Sequence, residues 1–261
     1  MTSRSLDHTW SLPGDILARF EHGVQFDAKS LALVDETVAL RRCGLYRDAF
    51  KGAAVAYPAR LLGFDALAAW IRRHGITVDV ASADDLDRAM AAGIEPMRIV
   101  MHPGDEAAAS IRRGVDAGAA RFVVGASPQI AIIAASAEQV QRVVVDTTDH
   151  AGGTLASEVL THPELDLIGL HCNLNDSDDA IGTVKLRQMV AEMSRIRREH
   201  NVLLTRVSLA GLDVGEHWLE PRILRRVAEA MGEVIGDACV RHRYPRPALT
   251  PSPSPAALLP A

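Results

Sequence analysis

Val78-Asp79-Val80-Ala81-Ser82-Ala83-Asp84-Asp85-Leu86-Asp87-Arg88-Ala89 runs from a short apolar strand pattern directly into a helical one, and Arg98-Ile99-Val100-Met101-His102 starts the strand pattern again. Strand, helix and strand in so few residues describe a parallel pair with a helical crossover. Working outward, the same unit recurs, with strands expected at 53–58, 76–81, 98–102, 120–124, 142–147, 166–171, 203–209 and 246–250. Helices are expected between them at 30–44, 64–75, 84–92, 106–117, 128–136, 181–200 and 220–238, while 148–165 reads as a plain connection. Eight strands in 261 residues favour closure. The expected fold is therefore α/β, a TIM-like (β/α)8 barrel, which commonly occupies about 250 residues as one domain. Residues 1–250 are assigned to the barrel, and 251–261, rich in Pro, Ser and Ala, to a disordered tail.

Bulk properties narrow the function classes. A net charge of −5 without a basic cluster argues against nucleic-acid binding. No apolar run reaches the roughly 18 residues of a membrane span, and no signal-peptide core stands at the N-terminus. Cys43, Cys172 and Cys239 lack pairing or metal-like spacing, which suggests a reduced, cytoplasmic protein.

In a parallel barrel, chemistry sits at the C-terminal strand ends. The polar residues expected there include Arg60, Asp79, His102, Asp146, His171, Asn173, Asp176 and Arg206. His102, Asp146 and His171 are the candidate acids and bases, since imidazole titrates near working pH. Arg60 and Arg206 have the guanidinium fork that grips carboxylate or phosphate, with Asp79, Asn173 and Asp176 as further substrate contacts. A plainer alternative stays open, in which Arg60, Asp79 and Asp146 form a buried ion-pair network. An Arg60–Asp146 pair predicts a loss of about 3 kcal/mol or more on Arg60→Ala. No metal site is expected, because His171-Cys172-Asn173 is one histidine short of a His-x-His pair.

Val55-Ala56-Tyr57-Pro58-Ala59-Arg60-Leu61-Leu62 resembles the first barrel strand of the diaminopimelate decarboxylases, members of the alanine-racemase-like (fold type III) pyridoxal-phosphate barrels. Asp79 to Ala89, Pro96 to Pro103 and Leu167 to Asp176 resemble the second, third and sixth strand regions of that family. The resemblance implies a lysine at position 60 for the Schiff base, and arginine has no free amine to form one. It also implies a ring-stacking histidine at Asn173, a phosphate-binding Gly-Ser at Asn175-Asp176, a Gly-Gly-Gly at Ala210-Gly211-Leu212 and a ring-nitrogen glutamate at Ser252. A carboxylate in a phosphate cradle repels its ligand by about 1 kcal/mol or more. Lys29, Lys51 and Lys185 fall at helix or loop positions and are not expected to substitute. These departures lead to the expectation of no cofactor.

The family carries a C-terminal β-domain that nothing after 250 is expected to form. The implied activity is that of a repurposed, pyridoxal-phosphate-independent lyase-like barrel acting by acid–base chemistry on a small acidic or amino-acid-like molecule. The alternatives are a non-catalytic pseudoenzyme that binds a ligand or serves as partner protein of an active decarboxylase, and a pyridoxal-phosphate decarboxylase with unorthodox attachment; a homodimer is the default expectation for a small α/β barrel.

Overall fold

A computed structural model describes residues 35–104, 108–149, 152–174, 182–213 and 220–259. Eight strands run in order around the sheet: β1 (Ala56–Pro58), β2 (Thr77–Val80), β3 (Ile99–Met101), β4 (Arg121–Val124), β5 (Gln141–Asp146), β6 (Leu165–Asn173), β7 (Arg206–Leu212) and β8 (Ala248–Pro253). Every adjacent pair is parallel. The helices are α1 (Glu36–Ala49), α2 (Asp65–Arg73), α3 (Ala83–Ala91), α4 (Ala108–Asp116), α5 (Ser127–Ser136), α6 (Gly153–Val159), α7 (Thr183–His200), α8 (Pro221–His242) and α9 (Pro255–Leu258). This is the TIM-like (β/α)8 barrel that the strand–helix alternation implies.

Side-chain alternation along the strands builds two separate apolar layers. Val78 and Val80, Ile99 and Met101, Phe122 and Val124, and Val143 and Val145 face outward into the main core. There they meet Leu67 and Ile71 of α2, Leu86 of α3, Ile111 of α4 and Ile130 and Ile133 of α5. Each such buried side chain contributes about 1.5–3 kcal/mol. The intervening residues Val100, Val123 and Val144 point inward, joined by Ile168, and form a small cluster of their own. This apolar waist divides the barrel interior into an upper, C-terminal half and a lower, N-terminal half.

Local chemistry sets the boundaries. Asp35 caps α1 by accepting from the Thr37 and Val38 amides, and Ser82 caps α3 by accepting from Asp85. Gly169 lets β6 approach β7, because a Cβ there would collide with the Arg206 backbone carbonyl. Just beside it, the β5–β6 register shifts between Val143 and Val144.

Two expectations are corrected. The segment 148–165 is not a plain connection, since it holds α6, whose N-cap is Gly152 with φ 77°, where a Cβ would meet Thr147 Cγ2 at 2.7 Å. The Gly-Gly pair is thus a helix start and not only a turn. Nor is 251–259 a disordered tail. Pro251 to Pro253 belong to β8, Ser254 caps α9 through the Ala257 amide, and Ala257, Leu258 and Leu259 are buried. Apolar burial against α1 overrides the disorder signal of the prolines, and Arg42 of α1 donates to the Ala257 carbonyl. Proline lacks the N–H that a strand interior requires, so it suits a sheet edge. β8 accordingly pairs with β7 and lies beside β1, but no β8–β1 ladder forms among the described residues.

Candidate active site at the C-terminal mouth

Asp79 on β2 is the centre of the upper half. Its Oδ1 lies 3.1 Å from His102 Nε2, at the end of β3, and its Oδ2 accepts a 2.6 Å hydrogen bond from Ser252 Oγ on β8. The His102 ring packs edge-on against His171 of β6, with centroids 4.9 Å apart. His171 Nδ1 in turn contacts Ser208 Oγ of β7 at 3.1 Å. Five strands thereby contribute to one continuous polar chain above the apolar waist.

The loop carrying His102 is held from two sides. The His102 amide donates to the Val80 carbonyl, while Gln129 of α5 donates from Nε2 to the Pro103 carbonyl at 2.9 Å. Gln129 Oε1 accepts from the Gly125 amide at 2.7 Å, which locks its orientation.

Electrostatics separates the roles. Burial pushes the Asp79 carboxyl up, but the charge of His102, hydrogen bonds from His102 and Ser252, and the charge of His171 outweigh it. The net effect holds Asp79 below the usual carboxylate range, hence ionised. His171 moves the other way. Burial, reinforced by the charge of His102 and opposed by Asp146 and Asp79, lowers it to about 4. It is therefore neutral at working pH, and it is buried at 2% exposure. His171 packs edge-on against the His102 ring and is held by Ser208.

Asp146 ends β5 opposite His171 and accepts from Thr148 through both amide and hydroxyl, at 2.9 and 2.6 Å. Thr148 Oγ1 accepts from the Asn173 amide at 2.8 Å, so Asn173 is tied to the same rim. Lys185 of α7 reaches this rim as well, its Nζ donating to the Thr148 carbonyl at 2.7 Å.

Several expectations fail here. Arg60 is exposed in a 3-10 turn (Ala59–Gly63) that leads away from β1, and it makes no ion pair with Asp146. Arg206 begins β7 and so lies at the opposite, N-terminal end of the barrel. Asp176 lies outside the described residues. Asp79, His102, Asp146, His171 and Asn173 do gather at the mouth as anticipated. Ser208, Gln129 and the reach of Lys185 go unread, because hydroxyls, amides and a single helix lysine carry no spacing signal.

Comparison with known proteins gives this geometry a lineage. Residues 37–154 match the family described as pyridoxal-dependent decarboxylase, pyridoxal binding domain. A diaminopimelate decarboxylase of Actinosynnema pretiosum is 24% identical over 254 residues, covering 85% of this chain and 56% of the relative. That of Corynebacterium efficiens is 28% identical over 212 residues, covering 69% and 46%. Among solved structures, the diaminopimelate decarboxylase of M. jannaschii superposes with a TM-score of 0.71 at 16% identity, over 87% of this chain and 60% of that one. The Helicobacter pylori enzyme complexed with L-lysine gives 0.68 at 16%, over 86% and 63%. The chain spans about half the length of the curated relatives it matches. The chain is similar in sequence to the diaminopimelate decarboxylases and shares the barrel fold of their solved structures.

The expectation of no cofactor is overturned by these matches, since the matched domain is a pyridoxal-binding one and the relatives are decarboxylases of that class. The departures at single motif positions bear on how such a group would be attached and cradled. Tested against pyridoxal phosphate, two described residues fit. Asp79 is an ionised carboxylate suited to a pyridinium nitrogen, and Lys185 brings an amine to the rim. Arg60 does not fit the attachment role.

Proposed function

We propose that this barrel is a decarboxylase-type lyase that takes a small, acidic, amino-acid-like molecule at its C-terminal mouth and moves a proton there through His102. The observation that carries this reading is the Asp79–His102 pair. With Nε2 bound to an ionised carboxylate 3.1 Å away, the tautomer and plane of the imidazole are set. Nδ1 is then the atom that exchanges a proton with a substrate. Loss of carbon dioxide leaves a carbon that must take up a proton, and protonated His102 supplies it and is reprotonated from solvent. Ser252 fixes the far oxygen of Asp79, and His171, neutral and buried, keeps the His102 ring in place without adding charge. When bound, pyridoxal phosphate supplies the electron sink that decarboxylation of an amino acid needs. Asp79 and Lys185 are the described residues suited to its ring nitrogen and its aldehyde.

The test begins with a pyridoxal-phosphate titration of the wild type and Lys185→Ala, followed by borohydride reduction and peptide mass analysis. An adduct on Lys185 that the variant lacks supports the assignment. Carbon dioxide release from basic and dicarboxylic amino acids is then measured with His102→Gln, for which a fall of about 100-fold or more is expected. Neither adduct nor release with any substrate sinks the reading.

A second reading, a ligand-binding partner of an active decarboxylase without turnover of its own, is favoured by Arg60, which stands exposed after β1 and makes no ion pair among the described residues. Saturable binding of an amino-acid-like ligand with no carbon dioxide release, together with association with an active relative, would select it.

A further inference from the structure

The opposite end of the barrel holds a second concentration of charge that the mouth does not use. Arg98, Arg121, Arg142 and Arg206 line a cavity of about 440 Å³ below the apolar waist, together with Thr77 and Thr205. Among the described residues, no carboxylate lines it. None of these four guanidinium groups makes a hydrogen bond or ion pair with a described residue. Asp166 is the ladder partner of Arg142, yet even this pair forms no salt bridge. Arg121 and Arg206, half-buried at the starts of β4 and β7, enter the barrel from below, while Arg98 and Arg142 stand exposed at the rim.

Like charges gathered without counter-charge repel one another, and burial makes the repulsion stronger. Arg121 registers this, since burial and the neighbouring Arg206 and Arg142 push its guanidinium below the ordinary arginine value, and only Asp79 across the waist opposes them. A chain with ordinary surface arginines would leave them apart or pair them with the acidic residues it has in excess.

We propose that this basal cavity is a binding site for a small phosphorylated organic anion. Guanidinium forks give bidentate contacts to phosphoryl oxygens, and the threonine hydroxyls add single donors. Ala54, Met97, Ala120 and Ile168 supply an apolar wall for the carbon skeleton, and the volume falls within the range of small-ligand sites. Occupancy neutralises the repulsion, so the ligand stabilises the barrel from the end remote from the mouth.

The experiment is thermal unfolding and titration calorimetry of the full chain with inorganic phosphate and pyrophosphate, against potassium chloride at matched ionic strength. A saturable rise in melting temperature with the phosphates, beyond that of chloride, is expected. Arg121→Met with Arg206→Met should abolish it, and the exposed Arg142→Gln should weaken binding by about tenfold while leaving the fold intact. His102→Gln, at the other end, should retain the full shift, which separates this site from phosphate bound at the mouth. An equal shift with chloride, or a saturable shift that survives the double substitution or Arg142→Gln unchanged, overturns the proposal.

Discussion

Acidification from pH 7 to pH 4 should destabilise this barrel by about 3 kcal/mol through His171 alone. The unfolded chain protonates His171 near 6.5, whereas in the folded barrel burial and His102 delay protonation to about 4. The folded state thus binds fewer protons throughout that window. Its stability is complete above about 6.5 and is lost as the pH falls towards 4, at about 1.4 kcal/mol per unit. Asp79 acts in a lower window, because its stabilising ionisation persists until the pH drops below the ordinary value of 3.8. The assay is urea unfolding at half-unit pH steps for the wild type and His171→Gln. Comparing slopes and not absolute stabilities removes the cost of the substitution itself. The variant should lose most of the pH dependence between 6.5 and 4, and the His171 ring in the wild type should titrate near 4 by NMR. Identical slopes in the two proteins, or a ring that titrates near 6.5, would refute the argument.

Three further outcomes follow from named contacts. Asp79→Asn leaves His102 without its carboxylate and should cost about 2 kcal/mol at pH 7, read by denaturant unfolding. Gly169→Ala forces a methyl group into the Arg206 carbonyl and should cost about 3 kcal/mol or fail to fold, checked by circular dichroism and thermal melting. Arg60→Ala, in contrast to the buried pair expected from sequence, should change stability by no more than about 0.5 kcal/mol. A double-mutant cycle with Asp146→Asn should give no coupling.

The sequence carries the barrel well where strands are apolar and β-branched. From β2 to β6, short runs such as Val143 to Val145 announce a buried parallel strand, and α3 and α4 have clear apolar faces. It carries less where a short element is built from turn residues. α6 spans seven residues behind a Gly-Gly pair, too few for a helical period to show. β8 contains prolines that read as breakers, although its edge position beside β1 tolerates them. For the site, Asp79, His102 and His171 are visible as polar residues at the ends of apolar runs. Arg206 is misread because β7 begins at Arg206, three residues later than its apolar pattern suggests, which reverses the end on which the arginine stands. Arg60 is misread because the chain leaves β1 in a 3-10 turn, and no propensity marks that departure.

The unladdered boundary between β8 and β1 makes the barrel a rolled sheet with a slit. Tyr57 of β1, whose hydroxyl donates to the Cys43 carbonyl at 2.6 Å, anchors the free margin to α1. The Ser252–Asp79 hydrogen bond crosses over β1 from β8 to β2 and acts as a stitch across that slit. Any widening of the rim at this point must stretch the stitch, and the oxygen it releases belongs to the same carboxylate that orients His102. The aperture of the barrel and the orientation of its imidazole are therefore mechanically linked.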